Sequence, residues 1–170
     1  MDSISLENNG PVAHLTLERP DQRNALSLEM MNELMGALQA LPTSTAAVVI
    51  AGRGPAFSAG HDLTELTGGD AAFFGELFEV CTELMETIHR IPQPVIARVH
   101  GIATAAGCQL GASCDLAIAA DTATFATPGV KIGLFCSTPM VPISRSVGRK
   151  RAMQMLLTGE PIDARTAVDW

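Results

Sequence analysis

Positive charge is scarce in this chain. Eleven lysine and arginine residues face eighteen aspartate and glutamate residues, giving a formal net charge of −7 and a pI near 4.9. No basic stripe is available to neutralise phosphates, which argues against a nucleic-acid surface. An anionic ligand would have to be held by local backbone dipoles and a few arginines. No apolar run is long enough to span a membrane, and MDSISLENNG lacks the charged-then-apolar layout of a signal peptide. The default expectation is therefore a cytoplasmic protein away from membranes. Cys81, Cys108, Cys114 and Cys136 show no CxxC spacing and sit in apolar or small-residue stretches, the pattern of buried free thiols. The histidines are scattered without ligand spacing, so no metal site is expected.

What is present suits a globular domain. The 170 residues are 47% hydrophobic and 17% charged, enough to bury a core as a single domain over residues 1–170. Val12 to Glu18 alternates as a strand, and Ser27 is placed to cap a helix carrying Leu28, Met31, Leu34, Leu38 and Leu41. Ala46 to Ala51 reads as a strand covered on both faces. The clearest helix places Phe74, Leu77, Phe78, Cys81, Leu84, Met85 and Ile88 on one stripe, ended by Pro92 and Pro94. Val95 to Val99 and Asp115 to Ala120 read as buried strands on either side of a small-residue helix, TAAGCQLGAS, with a short strand at Thr124 to Ala126. Helices are expected over 139–147 and 150–157, and DARTAVDW reads as a helix just begun, as at the front of a longer protein. Strands alternating with helices imply an α/β domain with a largely covered sheet.

Familiar short motifs fail. Gly52 to Gly54 follows a strand, but Phe57 stands where a dinucleotide-binding turn needs its third glycine. No GxxxxGK[ST] phosphate loop occurs, and Ser58 lacks the first glycine of a nucleophile elbow. Ser58 reads as a small packing residue.

Two segments carry a stronger signal together. Ala56-Phe57-Ser58-Ala59-Gly60-His61-Asp62-Leu63 is followed by His100-Gly101-Ile102-Ala103, Gly107-Cys108-Gln109-Leu110 and Cys114-Asp115. Arg19-Pro20 to Asn24-Ala25-Leu26 precedes them, and Phe125-Ala126-Thr127-Pro128, Gly133 and TGEPIDA come after. In order and spacing these resemble the enoyl-CoA hydratase/isomerase, or crotonase, superfamily over essentially the whole chain. The resemblance implies a spiral of ββα units and a C-terminal helical segment that packs trimers, most of which this chain lacks. A homotrimer or dimer of trimers is implied for a full-length form. The implied ligand is an acyl-CoA thioester, with coenzyme A part of the substrate and no separate cofactor.

A reaction that places negative charge on a thioester oxygen needs two fixed donors aimed at it. The resemblance assigns them to the backbone N–H groups of Ala59 and Ala106, the second at a helix start where the dipole favours an anion. Position 106 is usually glycine in the family, and alanine does not easily adopt positive φ. CoA contacts are implied along Ala59 to Leu63, including His61 and Asp62, and at Arg23 and Ala25, with further substrate contacts at Gly107, Pro128 and Leu134. Arg23 reads equally as a solvated loop charge. Asp62 also reads as a cap for nearby backbone groups, and Glu65 as exposed. Lys131 reads as a phosphate contact or a solvent-facing charge, and Phe73 and Phe74 as channel or core.

The resemblance also marks an absence. Family hydratases use two glutamates to activate water and deliver a proton; here Gln109 and Gly129 stand in their places. Glutamine cannot exchange a proton at neutral pH, and glycine offers only backbone. His61 is a candidate for proton transfer or a plain loop histidine, and Cys136 and Ser137 are candidate nucleophiles without a visible base. Three functions compete: an enzyme stabilising an enolate through the oxyanion hole, a catalytically silent acyl-CoA-binding or scaffold protein, and a weak hydratase of fatty-acid metabolism.

Overall fold

The protein is described by a computed structural model covering residues 3–170. Strands β1 (Ile4–Asn9) and β2 (Val12–Leu17) form an antiparallel hairpin, in which Ala13, Leu15 and Leu17 point into the core by strand alternation. β1 escapes a pattern reading because ISLENN is polar and only its first residues are half-buried.

From β3 onward the chain repeats one move. β3 (Ala47–Gly52), β5 (Val95–Val99) and β7 (Leu116–Ala119) extend the first sheet in parallel, in the order β1-β2-β3-β5-β7. Each is followed by a three-residue strand of a second sheet: β4 (Ala56–Ser58), β6 (Ile102–Thr104) and β8 (Thr124–Ala126). Each pair then leads into helix: α2 (Leu63–Gly68) and α3 (Ala71–Arg90), then α4 (Ala106–Ser113), then a 3-10 turn (Pro128–Ile132) and α5 (Ser137–Ser146). This is the ββα spiral that the motifs implied. Helix α1 (Leu28–Gln39) lies between β2 and β3, while α6 (Arg149–Thr158), β9 (Ile162–Asp163) and α7 (Ala164–Asp169) complete the chain.

The helices start where their caps dictate. Ser27 Oγ accepts from Met30 N at 3.2 Å, Asp70 Oδ1 from Phe73 N at 2.8 Å, and Asp163 Oδ1 from Thr166 N at 2.7 Å. The buried stripe of α3, Leu77, Cys81, Leu84 and Ile88, packs with Met30, Leu34 and Leu38 of α1 over the first sheet.

Two packing expectations are corrected. β7 is an edge strand, with Leu116 60% and Ile118 63% exposed; a short apolar run does not distinguish an edge strand from a covered one. Phe73, rather than Phe74, packs against the core. Among the described residues no helix is long and apolar enough to cross a membrane, and no three His, Cys, Asp or Glu side chains are placed to hold a metal.

Candidate functional site

The second sheet brings the loop after β4 against the start of α4. Three of four successive amides in that loop are spent inside the protein. Ala59 N donates to Arg23 O at 3.0 Å, Gly60 N to Ser58 Oγ at 3.3 Å, and Asp62 N to Leu26 O at 3.2 Å. Leu26 N donates to Gly60 O at 2.7 Å, so Leu26 and His61 form a parallel bridge in which the amide of His61 faces away from Leu26. The N–H of His61 is the one in this run with no acceptor among the described residues. The expectation for Ala59 is therefore corrected: its N–H is already taken by Arg23.

Across the contact, Ala105 turns the chain from β6 into α4. It adopts φ 49 and ψ −121, anchored by Ala105 N donating to Ala126 O at 2.9 Å. The positive φ that the sequence raised for position 106 thus falls one residue earlier, and Ala106 is an ordinary first helical residue. As at any helix start, the N–H groups of Ala106 and Gly107 lack acceptors.

Two glycines set how closely these segments approach. Gly60 has φ +94, and a Cβ there would lie 2.8 Å from Ala105 Cβ and 3.3 Å from Ala106 N. A Cβ on Gly107 would lie 2.3 Å from Ser58 O. Gly107 is buried against Ser58, where the absence of a side chain lets α4 approach the loop. Thr104 Oγ1 donates to Ala59 O at 2.9 Å, stitching loop to strand.

Side chains beneath the loop hold it from below. Asn24 is fully buried with φ 53; its Oδ1 accepts from Arg19 N at 3.0 Å, and its Nδ2 donates to Arg53 O and Ala56 O, both at 2.8 Å. Asp62 caps α2 by accepting from Thr64 N at 3.0 Å and pairs with Arg19 Nη2 at 3.0 Å. Burial pushes the Asp62 carboxyl up, but the bonds from Thr64 and Arg19 outweigh it and hold the pKa below its ordinary value. Glu65 is half-buried rather than exposed, and its Oε2 accepts from Leu28 N at 3.0 Å. Sequence reasoning assigned no role to Asn24, Arg19 or Thr104. The one available signal was a polar Asn, which tolerates left-handed φ, just before an apolar pair.

The His61 ring meets the edge of Phe78 at 5.6 Å between centroids. Neither ring nitrogen makes a well-formed hydrogen bond; burial lowers the imidazole pKa, opposed more weakly by the Leu26 backbone, so the neutral ring predominates at pH 7. Arg23 and Leu63 are exposed beside this loop and Ala25 is buried under it.

The sequence profile of the enoyl-CoA hydratase/isomerase family matches residues 7–170. The chain belongs to this family. It is 49% identical over 160 residues to the rat enoyl-CoA hydratase domain-containing protein 3, covering 92% of this chain and 53% of that protein. The human protein of the same name is also 49% identical, over 162 residues. The chain thus spans about half the length of these relatives. Among solved structures, it superposes on an enoyl-CoA hydratase of Mycobacterium smegmatis with TM-score 0.96 at 50% identity, covering 98% of this chain and 66% of that one. Human enoyl-CoA hydratase domain-containing protein 3 gives TM-score 0.94 at 46% identity, covering 98% and 67%. The expectation of a cytoplasmic protein is corrected here, because the rat and human relatives are named mitochondrial.

The two positions where the motif resemblance led us to expect glutamates hold Gln109 and Gly129. Gln109 is 4% exposed on α4, and its Oε1 receives only the Cys81 thiol at 3.9 Å. At Gly129 a side chain has no room: a Cβ would lie 2.0 Å from Leu134 O and 2.8 Å from Cys136 Sγ. Pro128 is half-buried beside it, and Leu134 is 51% exposed. Burial pushes the thiols of Cys81, Cys108 and Cys114 up to about 12 and raises that of Cys136. A protonated thiol is a poor nucleophile, which removes the chemical attraction of Cys136. Lys131 pairs with Glu160 at 2.9 Å.

Proposed function

We propose that this chain binds an acyl-CoA thioester and stabilises negative charge on its carbonyl oxygen through the backbone N–H groups of His61 and Ala106. The observation that carries this reading is the pair itself. Two amides without acceptors lie on backbones pressed together at Gly60, one of them at a helix N-terminus. Donors fixed before the reaction need no reorganisation when charge develops, and one such donor is worth about 10²–10³ in rate. Arg23, Ala25 and Leu63 adjoin the loop and are the proposed contacts for the CoA moiety.

Hydration by two glutamates is not the chemistry we assign. Each general acid or base contributes about 10²–10⁴ in rate. Gln109 cannot transfer a proton, and Leu134 O and Cys136 Sγ fill the space beside Gly129. Enolate-forming steps, decarboxylation or isomerisation of a CoA thioester, need the oxyanion donors first and suit what is left. The neutral His61 ring, with both nitrogens unpartnered, is the proposed proton carrier.

The test is a thermal-shift series with crotonyl-CoA, butyryl-CoA and free CoA, followed by a hydration assay on crotonyl-CoA. A ligand of the native state at 100 times its Kd adds about 2.7 kcal/mol of stability, so binding raises Tm. The expected outcome is stabilisation by the thioesters without hydration. Hydration at rates typical of two-glutamate enzymes would refute the assignment, and no stabilisation by any thioester would refute thioester binding.

A further inference from the structure

A cavity of about 220 Å³ opens beside Gln109 between α3, α4 and α5. Gln109 and Ser113 of α4, Glu86 and His89 of α3, and Thr138 and Arg145 of α5 supply its polar wall. Ser113 is 1% exposed, yet its hydroxyl has no partner. A buried hydroxyl left unpaired is a standing cost to folding unless something occupying the cavity accepts from it. Gln109 spends only its oxygen, on the Cys81 thiol, and its amide N–H₂ has no acceptor among the described residues.

The charges around the cavity are unequal. Arg145 forms no ion pair among the described residues, whereas Glu86 lies 3.9 Å from Arg90 Nη1 on its own helix. The wall therefore offers an unpaired guanidinium and several unspent donors, and its one carboxylate is partly answered from outside. Such a wall suits an acceptor with negative charge.

Helix geometry links this cavity to the thioester donors. Ala106, Gln109 and Ser113 stand at i, i+3 and i+7, one face of α4. At a rise of 1.5 Å per residue, Ser113 lies about 10 Å along the helix from Ala106. An acyl chain that followed this face from a carbonyl at the start of α4 would pass Gln109 and reach Ser113.

We infer that this protein takes CoA thioesters whose acyl chain ends in a carboxylate, held by Ser113, the Gln109 amide and Arg145; the inference rests on the thioester reading above. The probes are suberyl-CoA and octanoyl-CoA, of matched chain length, titrated calorimetrically into the wild-type chain and into Arg145→Gln and Ser113→Ala. Suberyl-CoA should bind tighter than octanoyl-CoA by about tenfold or more, the worth of one charge-assisted hydrogen bond. Arg145→Gln should abolish that preference by weakening suberyl-CoA binding far more than octanoyl-CoA binding. Ser113→Ala should reduce it by a smaller factor without lowering Tm, since the lost hydroxyl had no partner. Equal or tighter binding of octanoyl-CoA, or a preference that survives Arg145→Gln, overturns the inference alone. Failure of both thioesters to bind overturns it together with the thioester reading.

Discussion

Replacing Gln109 by glutamate places a carboxylate at one of the two positions where the resemblance implies one, with almost no change in shape, so its effects are chemical. The side chain is 4% exposed and its only neighbour in hydrogen-bond reach is a thiol at 3.9 Å. Cys81 is held protonated with its pKa pushed up to about 12, so it adds no negative charge but is a weak donor. A carboxyl placed there is desolvated with no hydrogen-bonded cation, and its pKa rises. Taking a rise of about two units from the reference near 4.3, each unit costs about 1.4 kcal/mol once the pH exceeds the folded value. The sign follows from proton binding. The folded state holds the proton more tightly than the unfolded state, so the penalty is absent below the unfolded pKa and complete above the folded one. Gln109→Glu should thus be about 1 kcal/mol less stable than wild type at pH 5 and about 3 kcal/mol less stable at pH 8. At about 2–4 °C per kcal/mol for a chain of this size, the pH 8 deficit lowers Tm by about 6–12 °C. Calorimetric melts of both proteins across this range give the answer directly. A deficit that does not change with pH would show that the position is not dry. Hydration of crotonyl-CoA by this single variant at full family rates would refute the claim that glycine at position 129 also matters.

Three other perturbations test the rest of the site. His61 has its pKa lowered by burial, so the unfolded chain takes up a proton first as the pH falls below about 6.5, and wild-type stability declines there; His61→Phe, with its ring still against Phe78, should lose that acid decline in urea titrations at pH 5 and 7.5. Gly107→Ala forces a methyl to 2.3 Å from Ser58 O and should cost about 1–3 kcal/mol while weakening thioester binding, read from urea midpoints and titration calorimetry. Asn24→Ala removes two donated bonds and one accepted bond at a fully buried, left-handed position, and should cost about 3 kcal/mol or more; Asn24→Gly should recover only the backbone share.

Much of the fold was legible from local pattern. The stripe Leu77, Cys81, Leu84 and Ile88 and the cap Ser27 are readable because helix period and capping depend on residues a few positions apart. The strands at β2, β3 and β5 announced themselves as apolar runs or alternation, and the ordered motifs sufficed to name the family. The three-residue strands β4 and β6 were hidden in glycine-rich text, since so short a segment has no period to detect.

The site was legible as a neighbourhood and not as a set of atoms. Sequence alone pointed to the loop after β4 and the start of α4 as the candidate site, and showed glutamine at 109 and glycine at 129. Only the tertiary structure decided that Arg23 consumes the Ala59 amide while His61 keeps its own, that positive φ falls on Ala105, and that Cys136 and Leu134 fill the space at Gly129. Glu65 capping α1 from 37 residues away, and the exposure of β7 at the sheet edge, belong to the same class. Whether an amide is free or a volume is empty depends on partners distant in sequence, and no local periodicity encodes those partners.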